Sequence, residues 1–131
     1  MNENTTPSAD GLAWVQRLVR FNTVSDQSNL ALIECIADHL RSLGVQPRLT
    51  HDDDGRKFNL FATLGAGKPG EVILSGHTDT VPWDGQAWTV DPLGADLRTV
   101  DGEPRLYGRG SADMKGFIGL VVAQTQAFLD A

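Results

Sequence analysis

The sequence predicts a layered domain of helices and strands, of α/β or α+β type, on three observations. Two segments near the start carry apolar residues at helical spacing, short apolar runs bounded by glycine and acidic turns follow, and a third apolar helical stretch closes the chain. Two polar, glycine-rich segments, residues 75–82 and 108–116, lie where extended runs give way to loop, a common place for chemistry.

The elements follow in order. Ser8 or Asp10 caps a first helix whose face is Leu12, Trp14, Val15, Leu18, Val19 and Phe21. Residues 22–25 break it. Ser28 caps a second helix with Leu30, Leu32, Ile33, Ile36, Ala37, Leu40 and Leu43 on its apolar side, and Gly44 ends it. Residues 45–50 read as a strand, 51–55 as an acidic turn, 58–64 as a second strand, 65–70 as a hairpin turn and 71–74 as a third strand. Residues 81–104 read as loop, with Trp83 and Trp88 assigned to packing rather than substrate contact. Leu106 and Tyr107 form a short extended piece. From about Lys115 to Leu129 the spacing predicts one helix that buries Phe117, Ile118, Leu120, Val121, Val122 and Phe128.

Composition excludes several function classes. A chain of 131 residues is long enough for one domain with its own core. Its net charge of -6 and lack of any lysine or arginine cluster exclude a nucleic-acid partner. No apolar run approaches the ~20 residues of a membrane span, and the polar first ten residues are not those of a signal peptide. No membrane partner and a cytoplasmic location are therefore expected. The single Cys35 lies in a helical apolar pattern and reads as a small core residue in a reducing compartment.

His77 and Asp79 follow the run 72–74 at a spacing that puts both side chains on one face of an extended chain. A histidine that binds a metal through one ring nitrogen needs a partner for the other, and a carboxylate serves. His77 is thus a candidate ligand and Asp79 its orienting group. Asp113, set among Gly108, Gly110 and Gly116, is the second candidate ligand, because a carboxylate has two oxygens and can bridge two cations. Taken singly, the signals are weak: His77 also suits a local hydrogen bond, and Asp113 a helix cap. Other sites are rejected. Residues 65–70 lack the pattern of a phosphate loop, residues 51–54 make a solvated acidic turn, and His39 sits late in a helix with no chemistry assigned.

The two segments together, Ser75-Gly76-His77-Thr78-Asp79-Thr80-Val81-Pro82 and Tyr107-Gly108-Arg109-Gly110-Ser111-Ala112-Asp113-Met114-Lys115-Gly116, resemble the co-catalytic zinc peptidase and deacetylase family. The resemblance runs through most of residues 8–131. It implies the N-terminal part of a zinc-dependent exopeptidase-like catalytic domain of α/β class, with helices packed on a mixed sheet. It implies His77 as a ligand of one zinc, Asp79 as the catalytic aspartate that orients it, and Asp113 as the bridge between two zincs, followed by a cis peptide. Residues 28–33, 59–63 and 83–88 resemble most the members that hydrolyse N-acetyl-L-ornithine to L-ornithine and acetate for arginine synthesis. Zinc is the implied cofactor, although nitrogen and oxygen ligands also suit cobalt or manganese. The implied partner is a small N-acylated amino acid, and full-length relatives are expected to be homodimers.

In the family, the general-base glutamate, three further ligands and an inserted lid and dimerisation domain lie beyond the counterpart of Ala131. The expected organisation is therefore a mobile terminus at 1–7 and a partial catalytic domain at 8–131, inactive on its own, since a catalytic zinc needs three protein ligands. The alternatives are a related acyl-amino-acid hydrolase such as a desuccinylase or dipeptidase, a non-catalytic fragment or half-site partner, and a small metal-binding module.

Overall fold

The computed structural model describes residues 9–65, 67 and 69–131. The expected mobile terminus at 1–7 and the Ser8 cap lie outside the described residues, as do Ala66 and Lys68. Helix α1 (Ala9–Val19) carries Asp10 in its first turn, where a carboxylate favours the positive helix end. It buries Val15, Leu18 and Val19. Helix α2 (Leu30–Ser42) buries Leu32, Ile33, Ile36, Ala37 and Leu40, as the spacing predicts. The expected Ser28 cap is corrected: Asn29 is the N-cap and its side chain makes no cap hydrogen bond, while the Ser28 hydroxyl, one position further out, accepts the Leu30 N–H at 3.2 Å. Beyond the last turn the Gly44 N–H reaches the Arg41 carbonyl at 3.0 Å and the chain leaves the helix.

Strands β1 (Arg48–His51) and β2 (Phe58–Phe61) pair antiparallel, with Arg48 opposite Phe61 and His51 opposite Phe58. Both are shorter than the sequence predicts. The acidic turn between them is tied by Asp52, whose carboxylate accepts the Arg56 and Lys57 N–H groups at 2.8 and 3.0 Å. Those two bonds hold the Asp52 carboxyl below its usual range.

A second hairpin stands where loop is expected. Strands β3 (Asp96–Val100) and β4 (Glu103–Tyr107) pair antiparallel, with Val100 opposite Glu103. Their turn is Asp101-Gly102, with φ of +53° and +81°, the pair of positive φ values that a two-residue hairpin loop requires. The expected third strand at 71–74 is corrected: no ladder forms there, and Val72 and Ile73 remain 82% and 79% exposed. A strand needs a hydrogen-bonded neighbour, and among the described residues none flanks this run. Residues 65, 67, 69 and 70 consequently join no pair of strands, and the expected hairpin turn at 65–70 lies partly outside the described residues.

The last stretch is also corrected. Instead of one helix from Lys115, an irregular turn (Ser111–Lys115) leads into α3 (Gly116–Ala123), and the chain kinks at Gln124 into α4 (Thr125–Asp130). Val122 is buried and Ile118 partly so, whereas Phe117, Leu120 and Phe128 are exposed. Apolar residues surround α3, but α1 covers only one stripe of it, so the rest stay at the surface. The main core is Leu18, Leu32, Ile33, Ile36, Leu40, Val45 and Val122, with β2 packed against it through Phe58 and Leu60. Val15, Val19 and Ala95 form a second cluster that seats Leu106 of β4. Cys35 is half-buried among these helices, and burial pushes its thiol pKa up.

Lys115 is buried, with its ammonium donating to the Phe21 carbonyl at 2.7 Å. Burial lowers its pKa from 10.5 to about 8. Between these values the folded chain has shed a proton that the unfolded chain still holds. Stability should therefore climb as pH rises through this window, by at most about 3 kcal/mol. Lys115→Met should flatten that climb relative to wild type, as read from urea midpoints between pH 7 and 10.5; parallel profiles would contradict a buried ammonium.

Candidate metal centre

The loop at 77–80 is held by the connection between α1 and α2. Thr80 donates its N–H to the Thr23 carbonyl at 2.9 Å, and Ser25 donates its N–H to the Thr80 carbonyl at 3.0 Å, a short parallel bridge centred on Val24 and Thr80. Buried Thr23 adds its hydroxyl to the Thr78 carbonyl at 2.6 Å. Asn29, also buried, donates to the Thr78 hydroxyl and to the Phe58 carbonyl, each at 2.9 Å, and accepts the Phe58 N–H at 2.8 Å. A single amide side chain thus fixes β2 and the site loop together.

The second loop packs directly on the first. At Gly110 φ is +83°, and a Cβ there would lie 2.6 Å from the Thr80 methyl, so both conformation and space require glycine. The Lys115 N–H closes the turn on the Gly110 carbonyl at 2.8 Å. The Asp113–Met114 peptide is cis, as the resemblance implies. Met114 Sδ then accepts the His77 backbone N–H at 3.3 Å.

These loops bring the three candidate residues together. His77 Nδ1 lies 3.1 Å from Asp79 Oδ1 and 3.1 Å from the Asp79 carbonyl, and its Nε2 lies 2.9 Å from Asp113 Oδ1. All three side chains are open to solvent. The hydrogen bond to Asp113, followed by the contacts with Asp79, raises the His77 pKa above its ordinary value. In its protonated form the ring can donate to both carboxylates, Nδ1 to Asp79 and Nε2 to Asp113. A metal taking Nε2 must displace the proton held there.

Residues 73–131 match the sequence profile of Peptidase family M20/M25/M40. The acetylornithine deacetylase of Proteus mirabilis (strain HI4320) is 46% identical over 99 residues, which cover 75% of this chain and 24% of that protein. The enzymes of that name from Pasteurella multocida (strain Pm70) and Klebsiella pneumoniae (strain 342) are 45% and 44% identical over 98 residues, each covering 74% of this chain and 24% of the relative. Residues 73–131 thus carry the pattern of peptidase family M20/M25/M40. The chain spans about a quarter of the length of the curated relatives it matches.

The mix of helices with two separate two-stranded antiparallel sheets fits an M20 α/β catalytic domain. The donor set suits a divalent metal as half of a site. One imidazole has a nitrogen already oriented by a carboxylate, and its other nitrogen converges on a second carboxylate from a separate loop. Among the described residues no cluster of three or more His, Cys, Asp or Glu has the arrangement to hold a metal. His77 and Asp113 alone fall short of three protein ligands. The acidic turn at 51–54 offers no site either, its lead carboxylate being occupied by backbone N–H groups. His39 packs against Trp14 with ring centroids 4.7 Å apart.

Trp88 is half-buried. Its indole N–H donates to Gln86 at 2.9 Å, and the Arg109 guanidinium lies 5.0 Å from its ring centroid. Sequence reasoning missed Thr23, Ser25, Asn29 and Met114. Residues 22–25 read only as a helix break, although a run of short polar side chains just before a capped helix is a signal for local hydrogen bonding.

Proposed function

We propose that this chain supplies one side of the metal centre of an amide hydrolase that converts N-acetyl-L-ornithine and water to L-ornithine and acetate. The observation that carries the reading is the convergence of His77 Nε2 and Asp113 Oδ1 at 2.9 Å, with Asp79 behind the ring. The names of the relatives support the substrate. His77 would hold a zinc ion through Nε2 and Asp113 through its carboxylate, the latter shared between two ions. When bound, such metals polarise the amide carbonyl and lower the pKa of water; cobalt or manganese would serve the same donors. Asp79 accepts the Nδ1 proton, which fixes the ring's tautomer and leaves Nε2 free to face the metal. Residues 8–131 would form the N-terminal part of the catalytic domain, and the assembled enzyme a homodimer acting in the cytoplasm for arginine synthesis.

The test is turnover by the full-length protein, stripped of metal and reloaded with zinc. Acetate release from N-acetyl-L-ornithine should exceed succinate release from N-succinyl-diaminopimelate by at least about tenfold in kcat/KM, roughly the discrimination available to differential transition-state contacts. The reverse preference would make the protein a desuccinylase, and no hydrolysis of either would remove the enzyme reading.

A further inference from the structure

We infer that Ser25 is a positioning residue of the metal centre, acting through Asp79 on His77. This rests on the metal reading above. The Ser25 hydroxyl lies 3.1 Å from Asp79 Oδ2, the oxygen not facing the imidazole, while Asp79 Oδ1 lies 3.1 Å from His77 Nδ1. The carboxylate is thus gripped from both ends along a line from Ser25 through Asp79 and His77 to Asp113. Both neighbours are fixed from the backbone: the Ser25 N–H and the Thr80 carbonyl share a 3.0 Å bond, which places the serine directly beside the loop that carries Asp79.

The hydroxyl has one hydrogen and two acceptors, Asp79 Oδ2 at 3.1 Å and the Thr80 carbonyl at 3.2 Å. The carboxylate carries a full charge, and hydrogen bonds to ionised acceptors are the stronger class. The Thr80 carbonyl already accepts the Ser25 N–H. Donation to Asp79 is therefore favoured. It keeps the carboxylate from turning toward water, to which its side chain is half open. A carboxylate free to rotate would orient the imidazole for only part of the time, and the ligand nitrogen would face the metal less often.

The experiment uses the full-length protein with zinc alone as the probe. Ser25→Ala should weaken zinc binding about 3- to 10-fold in chelator competition, at or just below the lower end of the effect of removing a direct partner of a ligating histidine. In the metal-free protein the Nδ1–H proton signal of His77 should broaden or shift. Ser25→Thr, which keeps the hydroxyl, should restore both readouts. Unchanged zinc affinity and an unchanged Nδ1–H signal in Ser25→Ala would overturn the inference. So would equal losses in Ser25→Ala and Ser25→Thr, which mark a packing role. His77→Ala separates the two levels. If that variant abolishes zinc binding while Ser25→Ala does not weaken it, the Ser25 inference alone fails. If His77→Ala binds zinc as tightly as wild type, the metal reading fails and takes the inference with it.

Discussion

Gly119→Val is expected to cost the fold more than any other single substitution on the face between α1 and α3. An added Cβ at Gly119 would lie 2.8 Å from each of three Val15 atoms, two of them backbone. Side-chain rotation cannot relieve a clash with backbone, so the helices must separate or the valine must leave its rotamer. Overpacking of this kind costs ~1–3 kcal/mol and more where the backbone has to move. The loss also reaches the core, because Val15, Leu18 and Val122 bury their side chains along the same two helices. A domain of this size has ~5–15 kcal/mol to lose. Urea denaturation should show a large fall in midpoint for Gly119→Val, a smaller one for Gly119→Ala, and a change under about 1 kcal/mol for Ala127→Val on the exposed side of α4. Midpoints that match wild type would mean that α1 and α3 are not in close contact.

Asp113→Asn in the full-length protein should lower kcat for N-acetyl-L-ornithine by about a thousandfold or more. The amide keeps the shape of the side chain and removes its charge, and metal ions contribute several kcal/mol of charge stabilisation to such a reaction. Bound zinc, measured on the dialysed protein, should fall together with the rate. Asp38→Asn is the control: that carboxylate sits on α2 in a solvent-exposed ion pair with Arg41 at 2.8 Å and should leave kcat within about twofold. Wild-type turnover by Asp113→Asn would take Asp113 out of the reaction.

The helical part of the fold is legible because its signal is local. The spacing of Leu32, Ile33, Ile36, Ala37 and Leu40 defines α2 without reference to any other element. The strands are less legible, since a strand is defined by its neighbour. Residues 71–74 have the composition of a strand and no ladder, whereas 96–107 form a hairpin whose Asp101-Gly102 turn was the readable sign. The kink at Gln124 has no proline or glycine to announce it. Among site residues, His77, Asp79 and Asp113 stand out by type and spacing. Ser25 and Thr23 do not, because their partners are 54 and 55 positions away and no short-range pattern records such a pairing.

The segment 21–25 joins both halves of the centre without supplying a ligand: Phe21 receives the Lys115 ammonium, Thr23 and Ser25 bracket Thr80. The ties cross 55 and 94 residues of chain. Closing loops of that length costs entropy, which the packing of the core must repay. In the folded chain the convergence of His77 and Asp113 thus depends on a segment that faces neither of them.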